Sequence, residues 1–186
     1  RDLSPAGGPR DGVVIQAVVQ EIDIATGLVM FEWHSLGSIG LRESYKPAPR
    51  SRVPWDYMHV NSVALDAAGD FVVSARATRA VYGIARATGR VTWRLGGRRS
   101  DFRFGPGARF ALQHDARPQP DGTLTLYDNS AYPPVRKRSR AITLALDLRR
   151  KTATLKQALV HPRGLLAATQ GGVQRLPEGG VFVGWG

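Results

Sequence analysis

Two histidines with similar surroundings are the residues in this sequence whose type and spacing best suit chemistry. His59 stands in "YMHVNSV" and His114 in "FALQHDAR", 55 residues apart, and each is followed by a glycine turn and an apolar strand. Imidazole is the side chain that gives or takes a proton near neutral pH. The alternative at each position is a structural histidine at the start of a strand, hydrogen-bonded to a neighbouring part of the fold.

The residues around these histidines do not indicate a bound metal or cofactor. Asp115 follows His114 directly, but consecutive residues of a strand point to opposite faces, so we expect Asp115 to pair with a basic neighbour. Closely spaced ligand pairs of the H-E-x-x-H type are absent, as are a P-loop and a G-x-G-x-x-G turn. The sequence therefore predicts no metal site and no cofactor.

The segments that would position the histidines contain a recurring hairpin pattern. "EIDIATGLVMFEW" (21–33) and "GIARATGRVTWRL" (83–95) superpose, and "ALDLRRKTATLKQ" (145–157) is a weaker third copy. Each copy predicts two short strands around a tight turn, where glycine tolerates a positive φ. No stretch has the periodicity and capping residues of a long amphipathic helix. The sequence predicts an all-β fold.

Spacing favours a β-propeller over the alternative, a β-sandwich. His59, His114 and Thr169 begin similar units at intervals of 55 residues, and about four strands in 50–60 residues is typical of a propeller blade. We expect 1–186 to form a single propeller domain or a segment of one, with a partial set of about three to four blades and residues 1–12 as a loop lead-in. Trp33, Trp55, Trp93 and Trp185 are expected to pack between the strands.

The charge of the chain indicates an anionic partner. Lys and Arg number 26 against 15 Asp and Glu, which gives a net charge of +11. Apart from Arg98–Arg99 and the 135–140 segment these cations are scattered, so a specific nucleic-acid site is only weakly supported. No apolar run is long enough for a transmembrane segment, and no signal peptide is visible. The absence of cysteine excludes disulfides and thiolate catalysis.

Seven blocks of the sequence together resemble the arylsulfotransferase family in order and approximate spacing. They are "WDYMHVNSV" (55–63), "VTWRLGG" (91–97), "SDFRF" (100–104), "FALQHDAR" (110–117), "TLYDN" (125–129), "SRAITLALD" (139–147) and "GGVQRLPEGGVFVGWG" (171–186). The resemblance implies a six-bladed propeller and an extracytoplasmic location, that is secreted, periplasmic or at the cell surface. It implies transfer of a sulfuryl group from a phenolic sulfate ester to a phenol, through a sulfated histidine and without a nucleotide sulfate donor.

The resemblance also assigns candidate catalytic residues. His59 and His114 fit the histidines of the family's central funnel, and Arg140 fits its arginine. The nucleophilic histidine expected ahead of "GGVQRLPEGG" is replaced here by Thr169. Two hypotheses remain open: an aryl sulfotransferase acting on small phenols and aryl sulfates, or a non-catalytic propeller that binds an anionic ligand or serves as a scaffold. Whether the chain is an enzyme is left undecided at this stage.

Overall fold

The computed structural model describes all residues from Arg1 to Gly186, and its regular secondary structure is almost entirely β-strand. Two single turns of 3₁₀ helix occur at Ser4–Ala6 and Leu41–Glu43. The strands are β1 (Val14–Ile15), β2 (Val18–Ile22), β3 (Val29–His34), β4 (Trp55–Asp56), β5 (Val60–Leu65), β6 (Phe71–Ala75), β7 (Ala80–Ile84), β8 (Val91–Gly96), β9 (Arg103–Phe104), β10 (His114–Pro118), β11 (Thr123–Asp128), β12 (Arg140–Asp147), β13 (Thr152–Leu159), β14 (Gly172–Arg175) and β15 (Val181–Gly184). The all-β prediction is confirmed. No helix is long and apolar enough to cross a membrane.

Two antiparallel four-strand meanders form the centre of the molecule. One has the order β5-β6-β7-β8, and the other has the order β10-β11-β12-β13, with β9 added in parallel at the outer edge. Smaller two-stranded sheets lie before and after them: β1-β4, β2-β3 and β14-β15. None of the sheets closes on itself, and the expected number of blades is not supported. The propeller arrangement stays a prediction.

Apolar side chains fill the space between successive sheets. A first cluster joins the β2-β3 hairpin to the β5–β8 sheet and contains Trp33, Trp55 and Tyr82, all buried. A second cluster, with Trp93 and Leu126, joins the two meanders. Burying one such side chain stabilises a fold by about 1.5–3 kcal/mol, so these layers hold the sheets face to face. The lead-in segment 1–12 has no strand, and Leu3 anchors it because its side chain is fully buried in the first cluster.

Gly83 in β7 allows the indole ring of Trp93 to lie directly on the strand. A Cβ added at Gly83 would come within 2.2 Å of the Trp93 ring. We therefore expect Gly83→Ala to lower the free energy of unfolding by about 1–3 kcal/mol, because the ring would be forced out of its place in the core. Urea denaturation followed by tryptophan fluorescence measures this. Gly40→Ala is the control, since its Cβ would meet nothing closer than 3.6 Å, and equal losses at the two positions would contradict the prediction.

Candidate functional site

The first strands of three successive sheets lie side by side, and this brings the two histidines together. The Asn61 side chain in β5 donates to the Gln113 carbonyl at 2.7 Å, and the amide of Ala116 in β10 donates to Ser62 Oγ at 3.0 Å. The amide of Val173 in β14 donates to Asp115 Oδ2 at 2.8 Å. His59 precedes β5 and His114 begins β10, so the two imidazoles lie at the same end of neighbouring strands.

The two histidines are neighbours without being equivalent in the two meanders. The turn glycines Gly69 and Gly122 match each other, and both turns close by the same backbone hydrogen-bond pattern. In that register His59 corresponds to Leu112, and both have a left-handed backbone, with φ of 54° and 57°. The interpretation that His59 and His114 occupy the same place in successive units is therefore wrong by two residues.

Asp56 orients the imidazole of His59. Its carboxylate accepts the His59 backbone N–H at 2.9 Å and contacts the ring Nδ1 at 2.5 Å. Because a carboxylate only accepts, Nδ1 carries the hydrogen and Nε2 is left as the free nitrogen. No protein group bonds Nε2, and the side chain is 51% exposed. The position of Asp56 three residues before His59 was the sequence signal for this pair, and sequence reasoning missed it.

His114 is held by hydrogen bonds at both ring nitrogens. Nδ1 lies 2.8 Å from Asn129 Oδ1, and Nε2 lies 3.3 Å from the backbone nitrogen of Gln170. Burial lowers the pKa of His114, and the positive charges of Arg76 and His59 lower it further, against opposing hydrogen bonds to Asn129 and to the Leu112 backbone. The ring is therefore neutral over a wider pH range than a free imidazole. Asp115 takes no part in holding it and pairs with Arg117 at 2.6 Å, as expected.

A cationic cleft of about 320 Å³ opens beside His59. Besides His59, its basic residues are Lys46, Arg76 and Arg79, while its lining includes neither Asp nor Glu. Tyr45 and Tyr132 add aromatic surface to the walls. An anion that entered this cleft would meet several positive charges and no acidic side chain.

Two guanidinium groups in this cleft are partly buried and have no carboxylate partner. Arg76 donates to the Ala168 carbonyl at 3.1 Å, and Arg79 stacks over the Tyr45 ring at 4.3 Å from its centre. Burial lowers the pKa of both arginines, because it disfavours the charged form. Unpaired cations that have lost part of their hydration are suited to binding sulfate or phosphate oxygens, which guanidinium contacts in a bidentate manner. Both residues lie in "SARATRA" (74–80), a stretch without a recognisable motif.

Comparison with known proteins identifies the family of this chain. The family model described as "Arylsulfotransferase (ASST)" matches residues 1–186. The chain belongs to the arylsulfotransferase family. No curated protein matches it. A crystal structure of a protein of unknown function from Bacteroides caccae is similar at 15% identity and a TM-score of 0.47, and the match covers 89% of this chain and 46% of that one. The chain thus spans about half the length of that structure. A TM-score at this level supports no conclusion about the fold or function of this chain.

In this member of the arylsulfotransferase family, Arg140 lies away from the cleft lining. Its Nε donates to Asp128 Oδ2 at 2.8 Å, and its Nη2 donates to the Arg109 carbonyl at 2.6 Å. Both Arg140 and Asp128 are buried. The positive charge that the resemblance assigned to the site is therefore already compensated within the protein, whereas those of Arg76 and Arg79 are not. A catalytic role for Arg140 stays a prediction.

The slot where a histidine is expected in an arylsulfotransferase is filled by a short covering segment, residues 167–170. Thr169 and Gln170 are exposed, and no imidazole stands at this point of the chain. The segment approaches His114, since the Gln170 amide contacts Nε2 of that ring. His114 is thus the imidazole that contacts this segment.

Proposed function

We propose that this arylsulfotransferase-family chain binds a phenolic sulfate ester in the cationic cleft and transfers its sulfuryl group to a phenol. The observation that carries the proposal is the pair of unpaired guanidinium groups, Arg76 and Arg79, in a cleft lined also by His59. His114 lies outside the cleft lining but close enough for the charges of Arg76 and His59 to lower its pKa. A sulfate ester is a monoanion with a flat organic part, which matches a cleft lined by arginine and tyrosine side chains. No nucleotide sulfate donor is required.

In the proposed reaction the arginines hold the sulfuryl oxygens while bonds to sulfur change. Charge in sulfuryl transfer, as in phosphoryl transfer, is spread over the equatorial oxygens, and fixed cations stabilise it most where water is excluded. The guanidinium of Arg79 makes no hydrogen bond to the protein and stacks on Tyr45. Arg76 would exchange its contact with the Ala168 carbonyl for the ligand. The aryl ring would lie along Tyr45 or Tyr132.

The two imidazoles would divide the remaining work. In the first half-reaction the bond between sulfur and the aryl oxygen breaks as Nε2 of His114 bonds to sulfur, and the departing phenolate takes a proton from the imidazolium of His59. In the second half-reaction His59 takes the proton of the acceptor phenol while the phenol oxygen attacks sulfur and the bond to His114 breaks. His59 returns to its starting state, so protons and charge balance over the cycle.

We also propose that the sheets are blades of a β-propeller and that the protein works outside the cytoplasm. The blade assignment is supported by the meander order of the two large sheets and by the side-by-side placement of β5, β10 and β14. A propeller gathers first strands around its axis, which is where the cleft would open. The extracytoplasmic location rests on the family alone.

Turnover of 4-nitrophenyl sulfate with phenol as acceptor tests the proposed function. We expect release of 4-nitrophenolate together with phenyl sulfate, in the absence of any nucleotide sulfate. Binding of the ester without release of 4-nitrophenolate would contradict the proposed transfer and would identify the chain as the non-catalytic binding module. Absence of both binding and release would contradict the cleft assignment as well.

Arg79→Met should weaken the binding of aryl sulfates without destabilising the protein. A hydrogen bond to a charged group contributes about 1.5–3 kcal/mol, so we expect the dissociation constant to rise roughly 10- to 100-fold. Stability should stay the same or increase, because methionine removes a partly buried cation that lacks a counter-ion. Calorimetric titration and thermal unfolding measure the two effects. Arg149→Met is the control, since this side chain lies exposed on the β12–β13 turn; a loss of stability at Arg79 alone would speak against an anion site.

A further inference from the structure

The buried amide of Asn129 connects His114 to the covering segment 167–170. Asn129 is completely inaccessible to solvent and follows the last residue of β11. We infer that Asn129 is a positioning residue that fixes the tautomer of His114 and makes Nε2 its reactive nitrogen. The claim that Nε2 is the reactive nitrogen rests on the proposed function. The tautomer itself follows from the hydrogen bonds alone.

Three contacts determine which way the Asn129 amide faces. Its Nδ2 lies 3.2 Å from the Ala167 carbonyl and 2.9 Å from the Gln170 carbonyl. Carbonyl oxygens only accept hydrogen bonds, so the NH₂ group must face the covering segment. The amide oxygen Oδ1 must then face His114, 2.8 Å from Nδ1. An oxygen in that position requires that Nδ1 carry the hydrogen, and the lone pair of the neutral ring is thereby placed on Nε2.

The other side of the ring is consistent with this tautomer. The backbone N–H of Gln170 points at Nε2 over 3.3 Å, and a donor there requires an acceptor on the ring. The contact is long for a hydrogen bond, so an electrophilic sulfur would displace a weak partner. The Gln170 peptide is anchored through its carbonyl by the same Asn129 amide. One buried side chain therefore sets both the tautomer and the group that covers the lone pair.

The charges around His114 keep the ring in the neutral state that a nucleophile needs. Arg76 and His59 both oppose its protonation, and burial opposes it more strongly. The nearby carboxylates are engaged elsewhere, Asp128 by Arg140 and Asp115 by Arg117. His59, in contrast, is oriented by the carboxylate of Asp56. A neutral amide partner suits attack by a lone pair, and a carboxylate partner suits proton transfer, so the two imidazoles are equipped for different tasks.

Long-range proton–nitrogen NMR of His114 tests the inference directly. In the wild-type protein at neutral pH we expect Nδ1 to be protonated and Nε2 to be bare. In Asn129→Ala the ring should lose this preference, and kcat should fall roughly 10- to 100-fold with little change in KM, because orienting partners of a reactive group typically contribute that much. Ser139→Ala is the matched control: Ser139 Oγ accepts the Ala167 N–H at 2.8 Å and donates to the Asn129 backbone carbonyl at 2.7 Å, so it holds the covering segment and the Asn129 main chain without touching the Asn129 amide or His114. It should leave the tautomer unchanged.

The outcomes separate this inference from the proposed function. A wild-type ring protonated on Nε2, or an unchanged tautomer in a folded Asn129→Ala protein, would overturn the role of Asn129 whatever the activity. The expected tautomer in a protein that never releases 4-nitrophenolate would remove the proposed function and leave the positioning role standing. If Asn129→Ala does not fold, the wild-type spectrum still decides the tautomer, and Asn129→Asp provides the second variant. In its protonated form one carboxyl oxygen keeps an acceptor at Nδ1, and the O–H can replace one of the two contacts to the Ala167 and Gln170 carbonyls, so the Nδ1-protonated state should survive there.

Discussion

His114→Ala is expected to lower turnover of 4-nitrophenyl sulfate by at least about 10³-fold, since both the nucleophile and the covalent route are lost with the ring. Mass spectrometry of the enzyme quenched during turnover measures the same step: wild-type protein should carry one added sulfuryl group, and His114→Ala should carry none. His59→Ala should still become sulfated, because the phenolate of a good leaving group departs without a proton. That difference separates the nucleophile from the acid–base residue.

His161→Ala is the control for this substitution. His161 stacks edge-on against Trp185, with ring centres 5.2 Å apart, and takes no part in the cleft lining. Its turnover and sulfation should match wild type. Sulfation that persists in His114→Ala would place the nucleophile elsewhere, and His59 would be the next residue to test.

The pH dependence gives a further readout of His114. Its folded pKa lies below the ordinary imidazole value of 6.5, because burial disfavours the imidazolium. The neutral ring is favoured in the fold, so its contribution to stability is complete above that ordinary value and is lost as the pH falls from there through the lowered folded pKa. Nucleophilic activity should persist below the ordinary value and fall only at the lowered pKa. In Asn129→Ala, both the pH at which stability is lost and the pH at which activity falls should change.

The fold class was readable from the sequence, because strand and turn signals are local. Turn glycines such as Gly69 and Gly122 and the β-branched runs between them identify the meanders without knowledge of tertiary structure. The 55-residue repeat predicted from His59 and His114 differs by two residues from the register of the two meanders, in which His59 corresponds to Leu112. Strand pairing, which decides register, depends on hydrogen bonds across the sheet that the sequence does not display.

The site was only partly predictable for a related reason. His59 and His114 stand out by residue type. Arg76 and Arg79 become significant only because they lack a carboxylate partner in the fold, and Asn129 only because it contacts His114. An arginine without a carboxylate partner is indistinguishable in sequence from a solvated one. Arg140 shows the converse: it lies in a block that resembles the family, and the structure gives it a buried partner that sequence reasoning did not foresee.

Arg140→Met is expected to destabilise the protein by about 3–5 kcal/mol, because it leaves the buried carboxylate of Asp128 without its closest cation. Asp128 is fully inaccessible to solvent and also accepts the Ala111 N–H at 3.0 Å and the Ser130 hydroxyl at 2.7 Å. Those bonds and the guanidinium of Arg136, 3.7 Å away, offset part of the lost charge, which favours the lower end of the range. Urea denaturation gives the change in free energy of unfolding.

The double variant Arg140→Met with Asp128→Asn separates a structural role of Arg140 from a catalytic one. Removing both charges abolishes the uncompensated carboxylate, so a substantial part of the lost stability should return, while the amide keeps an acceptor for Ala111. If Arg140 acts only through the fold, the double variant should turn over 4-nitrophenyl sulfate at nearly the wild-type rate. A folded double variant that is inactive and has lost affinity for aryl sulfates would show that the guanidinium reaches the ligand, as the family resemblance implies. Arg79→Met should lose ligand affinity in either case, since its charge has no partner within the protein to be removed with it.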